Sequence, residues 1–422
     1  MQDILNNNNV KEISFIEQDN RGFDEAFWIK NKDFFDEMSA RSVEMKYTVS
    51  HSITIPIRNV PLTSMTLLID RAVIQFDYLP KSLNNLSIAI RHRNLVTSLV
   101  GLPDGLTSLK FLFAGWSHPI APGSLPSRLK TLDLGSTYNY PIEVGSLPAT
   151  LEIVNFGGSF NQPLTNLPRS VTKLHLCAKY KHPIGNNHLE YLDHMGPASF
   201  TPGVIFPALT YLNTHSKHDQ WPLITSSTFP NLSTIYVYTK SEWSEPLDLS
   251  TMASSLRIMF ISAKGPISSF PQGLERLQVF SSSLFRLTNH NNNQLPRSLL
   301  SLTILEYQYE LEAGHFPPTL TSLSMFEHQQ LPLKDQLPLL SLKSLSIGLG
   351  KEYDIITIGR FESILATTSL ESIELVASTR FNLHLYRITD NIFLKHSGSS
   401  ILFEINEFGF INSNTIMHFL TK

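Results

Sequence analysis

One short hydrophobic phrase, Leu-x-x-Leu-x-Leu, recurs along most of this chain of 422 residues and is usually opened by Leu-Pro or Phe-Pro. Its clearest copy is Leu147-Pro148-Ala149-Thr150-Leu151-Glu152-Ile153-Val154-Asn155-Phe156. The first apolar residue of successive copies falls at Leu62, Leu83, Leu106, Leu129, Leu151, Val171, Leu189, Leu209, Leu232, Leu256, Leu274, Leu299, Leu320, Leu342 and Leu370, a mean period of about 22 residues. A period of that length with this phrase describes a stacked repeat, so neighbouring copies must share one core.

Within Leu129-Lys130-Thr131-Leu132-Asp133-Leu134 the last two leucines are two apart. They occupy one face of a strand, while Thr131 and Asp133 take the other. The first leucine packs beneath them from the incoming turn. A single unit cannot bury this face, whereas stacking successive strands makes a parallel sheet with a continuous apolar layer behind it. Pro80, Pro103, Pro126, Pro148, Pro168, Pro271, Pro296 and Pro317 each stand three residues before the first apolar residue of a unit. Proline has no N–H for a sheet ladder and belongs in the turn that feeds the strand. The connections, rich in Gly, Ser, Asn and Pro, are too short for a helix in every unit and read as extended segments or short 3₁₀ turns. The expected fold is mainly β, a curved parallel-β solenoid of leucine-rich-repeat type with about 15 repeats of about 22 residues.

The segment Gly157-Gly158-Ser159-Phe160-Asn161-Gln162-Pro163-Leu164, followed by Leu167-Pro168, resembles the FNIP repeat, a leucine-rich-repeat variant abundant in social amoebae such as dictyostelids. Trp116-Ser117-His118-Pro119-Ile120, Tyr138-Asn139-Tyr140-Pro141-Ile142 and Tyr180-Lys181-His182-Pro183-Ile184 repeat it with substitutions. The resemblance implies a recognition scaffold without an assigned common ligand. Read physically, Trp116, Tyr138, Phe160 and Tyr180 share one phase and should form an aromatic spine, while Asn139 and Asn161 are placed to hydrogen-bond turn backbone that has no strand partner. Gln162 and Pro163 complete this structural motif.

An apolar stack needs its ends covered. Residues 1–52 read as a tail and a helical N-terminal cap, because Phe23, Phe27, Phe34, Phe35 and Met38 recur at helical spacing within 23–47. Residues 53–376 read as the solenoid and 377–422 as a short β/helix C-terminal cap. In the last segment, 381–388 alternates and is followed by a turn at Ser397-Gly398-Ser399, a strand over 400–405 and a short helix over 414–420.

The bulk chemistry narrows the function. With 33 basic and 36 acidic residues the net charge is −3, and no basic run is present to track phosphates, so no nucleic-acid partner is expected. Cys177 is the one cysteine, which excludes an internal disulfide and suits a reducing compartment. The N-terminus lacks the basic and apolar regions of a signal peptide, and no apolar run is long enough for a membrane span. The expectation is an intracellular, cytoplasmic location, without membrane insertion, cofactor or metal. Histidines 182, 188, 194, 215 and 218 show no repeated ligand spacing. No phosphate-binding loop or His-Glu-x-x-His motif occurs.

The repeat register also lists the side chains that line up on the outward face: Thr66, Ser87, Lys110, Asp133, Asn155, His175, Asp193, Asn213, Tyr236, Phe260, Gln278, Thr303, Ser324, Ser346 and Glu374. His175 and Asp193 fall side by side, but an open sheet gives such a pair no enclosed pocket and no oxyanion donors, and a non-enzymatic protein is expected. Outward positions near the middle of the array carry Tyr191, Tyr211, Tyr236, Tyr238, Phe260 and Phe280. Rings on a concave sheet are anchors a protein partner can use. The competing reading is that they only cover one another. Two other function classes fit the same architecture: the substrate-recognition subunit of a ubiquitin ligase, with residues 1–52 binding an adaptor, and a regulator of a small GTPase.

Overall fold

In a computed structural model the chain folds as two compact units, Met1–Leu209 and Thr210–Lys422. The structure describes residues 11–16, 25–41, 43–49, 58, 62–69, 75–90, 98–196, 199–215, 221, 223–239, 242–281, 295–305, 314–328, 337, 341–349, 364, 370–377, 381–389, 392–398 and 407–412. Each unit is a parallel β-solenoid with little or no helix among the described residues.

In the first unit the parallel ladder runs through Glu12–Ile16, Glu44–Val49, Ser64–Ile69, Asn85–Ile90, Ser108–Phe113, Thr131–Asp133, Ile153–Asn155, Lys173–Leu176 and Tyr191–His194, each paired with the next. The leucine phrase accounts for the register. Met65, Leu86, Leu109, Leu132, Val154, Leu174 and Leu192 point to one face and none is more than 1% exposed. Beneath them the first apolar residues of the same units, Leu62 to Leu189, are 0% exposed. Each such side chain contributes about 1.5–3 kcal/mol by leaving water, which is why so many short strands hold together.

The prolines sit where the missing N–H costs nothing. In each of the eight Pro-x-x-Leu or Pro-x-x-Val units noted above, the N–H of the first apolar residue donates to the proline carbonyl three residues earlier, at 3.1–3.3 Å. A second device in these turns has no hydrophobic signature. In six units the residue just before the first apolar position is a Ser or Thr whose hydroxyl reaches back to the carbonyl of the first leucine one unit earlier: Ser82 to Leu62 at 2.8 Å and Thr150 to Leu129 at 2.9 Å in the first unit. Ser170 there is an exception, its buried hydroxyl meeting no partner among the described residues. In the second unit Ser255 reaches Leu232 at 2.8 Å, Ser298 reaches Leu274 at 2.6 Å, Thr319 reaches Leu299 at 3.0 Å and Ser341 reaches Leu320 at 2.9 Å. Each bond satisfies a carbonyl the ladder does not use and contributes on the order of 1 kcal/mol.

The region before residue 53 differs in part from its sequence reading. Helices at Glu25–Lys30 and Lys32–Ala40 bury Phe34, Phe35 and Met38. The helical stretch does not extend to residue 47, because Glu44–Val49 is a strand. Val43, Met45, Tyr47 and Val49 alternate with Glu44, Lys46 and Thr48, a period of two that outweighs the helical spacing before it. Glu12–Ile16 adds a further parallel strand.

In the second unit the ladder runs through Tyr211–His215, Thr234–Tyr238, Ile258–Ala263, Arg276–Ser281, Ser301–Leu305, Ser322–His328, Ser344–Leu349 and Ser372–Ala377. Phe381–Thr389 then pairs antiparallel with Ser372–Ala377, and Ile392–Gly398 and Glu407–Asn412 continue the antiparallel series. The parallel stacking stops where a hairpin replaces the long connection. Ser397 and Gly398 lie in a strand rather than a turn, paired with Leu383 and Asn382. The strand expected over 400–405 and the helix expected over 414–420 lie outside the described residues. Among the described residues the connections are extended segments and turns, with a 3₁₀ turn at Phe76–Tyr78 and a two-stranded pairing of Leu247–Asp248 with Ile267–Ser269.

Candidate functional site

The FNIP-like segments build the scaffold under the first unit's sheet. Trp116, Tyr138, Phe160 and Tyr180 are at most 1% exposed. Phe160 stacks between Tyr138 (6.0 Å, 11°) and Tyr180 (6.0 Å, 4°), and on Phe156 at 4.1 Å. Beside the rings runs an asparagine ladder. Asn139 Oδ1 accepts the Asn161 N–H at 2.8 Å and the Gln162 amide at 3.2 Å, and Asn161 Oδ1 accepts the Lys181 N–H at 2.9 Å. Pro163 is exposed at the turn that leads into buried Leu164. Burial also raises the two tyrosine hydroxyls above their ordinary range, Tyr180 to about 12, with Tyr140 adding to the effect at Tyr138.

Buried His194 and half-buried His188 should make this unit acid-sensitive. His194 is 1% exposed, its Nδ1 lies 3.0 Å from the Gly196 N–H, and its ring meets the Tyr180 ring at 5.8 Å. Desolvation holds its basicity below the usual histidine range, and His188 is lowered for the same reason, with Arg169 opposing its charge further. The unfolded chain therefore binds more protons between the depressed folded values and about pH 6.5. Stability is complete above that pH and falls as pH drops below it. Urea unfolding of the wild type should show a lower midpoint at pH 5.5 than at pH 7.5, with a smaller drop in His194→Leu. Equal midpoints in the wild type would rule the account out.

The outward row comes out in the order that the periodicity sets. In the first unit Thr66, Ser87, Lys110, Asp133, Asn155, His175 and Asp193 are successive register partners. This face is polar. Asn155 Nδ2 donates to Asp133 Oδ2 at 3.0 Å, and Asp133 and Asn155 also close the strand exits by accepting the N–H groups of Gly135 and Gly157, each at 2.9 Å. His175 Nδ1 lies 3.2 Å from Asp193 Oδ2, with the Tyr191 ring 5.2 Å away. Among the described residues no three His, Cys, Asp or Glu side chains converge as a metal site.

The second unit presents a different face. Tyr236 and Phe260 are register partners in the central row and stack at 4.0 Å and 4°. Tyr211 leans on Tyr236 at 5.4 Å, and Tyr238 lies 5.1 Å from His215 and 6.4 Å from Phe280. Tyr211, Tyr236, Tyr238 and Phe260 are half-buried, and Phe280 is 38% exposed. Five of the six rings singled out from sequence are thus brought together, while Tyr191 belongs to the first unit and sits against His175. Beyond Phe260 the row passes through Gln278, becomes small and hydroxylic at Thr303, Ser324 and Ser346, and ends at Glu374. Ser346 donates to Glu374 Oε2 at 2.6 Å, and His384 Nε2 lies 3.4 Å from Oε1. By sequence Thr303, Ser324 and Ser346 stand in the outward row without an assigned role, although serine recurs there in phase with the repeat.

Among the described residues no helix is long and apolar enough to cross a membrane. No curated protein matches the chain. Among solved structures it is similar to one described as the crystal structure of CroV588, a novel circular LRR protein, at 18% identity and a TM-score of 0.49, over 86% of this chain and 69% of that one. Residues 116–159 match the FNIP Repeat family model. The matched stretch holds buried Trp116, which packs on Phe111 and His118, and Tyr138, the first ring of the stacked series that Phe160 and Tyr180 continue.

Proposed function

We propose that the protein is a non-enzymatic, intracellular recognition scaffold whose partner is another protein, held on the aromatic face of the second unit by Tyr211, Tyr236, Tyr238, Phe260 and Phe280. The observation that supports this most is that the rings lie on the side of the sheet opposite the leucine core. Met259 and Leu277 already fill that core at 0% exposure, so the rings are not required for it. Their mutual stacking covers part of their surface, and it also fixes their rotamers, so little side-chain entropy is lost when a partner covers the rest. Aromatic side chains held this way dominate interface energetics. Tyr191 offers a similar ring on the first unit's face. On this reading residues 53–376 form the recognition array, and 1–52 and 377–422 close its ends.

Affinity capture from the native cell, with the wild type beside Tyr236→Ala/Phe260→Ala, tests the assignment. Hot-spot rings contribute about 2 kcal/mol or more, so the double variant should lose its partner by at least tenfold while still unfolding cooperatively in urea. Unchanged recovery of every co-purifying protein from a folded variant would remove the aromatic face from consideration.

A further inference from the structure

The same face carries Arg276, which meets no carboxylate among the described residues, and Glu374, whose ionic neighbour among them is His384 rather than a lysine or arginine. Arg276 opens the strand Arg276–Ser281, is exposed, and pairs in register with Ile258 on one side and Ser301 on the other. Its guanidinium makes no hydrogen bond or ion pair among the described residues, and the neighbouring Glu275 is engaged by Arg257 Nε at 3.6 Å. One strand away and two residues along, Phe260 stands about 8 Å from it between Cβ atoms, within reach of the arginine stem. At the other end, half-buried Glu374 has Ser346 and His384 as neighbours but no lysine or arginine among the described residues. Between the two charges the outward positions are Ser301, Ser322 and Ser344 in one row and Thr303, Ser324 and Ser346 in the next. Phe280, Leu305 and Phe326 form a third row alongside.

Resting on the recognition reading above, we infer that this face takes an extended polypeptide segment bearing an acidic residue and, about six residues further on, a basic one. The acid pairs with Arg276 and the base with Glu374. The two sites are about 20 Å apart along the sheet, four strand spacings across and two residues along, a distance that six extended residues span. Ser346 is buried and gives its hydrogen to Glu374, and Ser344 accepts from Ser372. The half-buried hydroxyls of Ser301, Thr303, Ser322 and Ser324 can donate and accept toward the N–H and C=O groups of an extended backbone. The row of Phe280, Leu305 and Phe326 receives its apolar side chains. A nucleic acid would meet one arginine and a carboxylate here, which is the wrong balance for phosphates. Sugars need open ring faces to stack on, and the faces of Tyr236 and Phe260 are turned toward each other.

The test is selection of a phage-displayed library of random twelve-residue peptides on the immobilised full chain, repeated with Arg276→Glu, Glu374→Lys, Glu374→Gln and Tyr236→Ala/Phe260→Ala, each first shown to unfold cooperatively. The wild type should enrich peptides with an acidic residue about six positions from a basic one. Those peptides should bind Arg276→Glu and Glu374→Lys at least tenfold more weakly, with the loss reduced at high salt. Fresh selection on Arg276→Glu should replace the acidic preference by a basic one. Glu374→Gln keeps an acceptor for Ser346 and should weaken binding through charge alone. Binders indifferent to both reversals, or no enrichment at all, overturn the inference. If such binders are still lost from the Tyr236/Phe260 variant, the aromatic face stands and only the charge assignment falls; if they survive there too, both fall.

Discussion

Gly157→Ala should abolish cooperative folding of the first unit, while Gly123→Ala should be tolerated. Both glycines have positive φ, +69° and +73°. Each substitution therefore carries the left-handed backbone penalty of about 1–2 kcal/mol. They differ in what the added carbon meets. At Gly157 a Cβ would lie 1.5 Å from the Gly135 carbonyl oxygen, while at Gly123 nothing lies within 4 Å. The obstruction is backbone held by ladder bonds on both sides, so it cannot rotate away as a side chain would. The expected loss at Gly157 exceeds about 4 kcal/mol, beyond the range of ordinary substitutions. Urea denaturation of the two variants side by side decides it. Similar modest shifts for both would mean that the strand exits are packed far less closely than described.

Phe160→Ala should cost about 3–5 kcal/mol, as for a fully buried aromatic whose cavity cannot collapse. Phe160 is 0% exposed, and the rings of Tyr138, Phe156 and Tyr180 pack against it. Phe156 and Tyr180 are tied by their own N–H groups to the His175 and Cys177 carbonyls, each at 3.2 Å, and Thr137 beside Tyr138 is tied to Ala114 at 2.8 Å, so none is free to move into the space. Denaturant titration should give a lower midpoint with an unchanged slope. Tyr236→Ala, measured in parallel, removes a half-buried ring on the outer side of a sheet and should cost clearly less. Equal losses would mean that the outer rings carry as much of the fold as the spine does.

The solenoid and its outward row were legible in the sequence because one periodic signal fixes both: once Leu129, Leu132 and Leu134 are assigned inward, Asp133 must point outward and align with Lys110 and Asn155. The strands at Glu12–Ile16 and Glu44–Val49 were not legible, since they lack the leucine phrase and follow or precede helical spacing. Phe113 breaks a different rule. It stands in the phase of Gly135 and Gly157, takes φ +59° without being glycine, and leaves its ring 65% exposed. A sequence pattern gives no warning of that conformation. The aromatic face was visible as residue types in phase, but the free charge beside it was not. Arg257, Arg276 and Lys343 look alike in sequence, yet Arg257 meets Glu275 at 3.6 Å and Lys343 meets Glu371 at 2.8 Å, whereas Arg276 meets neither. Whether a cation is neutralised depends on the strand beside it, which the period alone does not specify.

The turn hydroxyls bear on how a chain of this kind changes length over generations. Thr319 gives its hydrogen to the carbonyl of Leu299, and the carbonyl of Leu320 in turn takes the hydrogen of Ser341. Every such unit therefore arrives with one donor for the unit before it and one acceptor for the unit after it. Duplicating or deleting a whole unit of this kind beside another of its kind keeps the exchange intact, because the new neighbours complete it. Loss of half a unit would strand a carbonyl in the core and shift the leucine phase. Recombination between copies is thus tolerated in whole multiples of the period, and a gene built on this turn can lengthen or shorten its recognition surface without redesigning its interior.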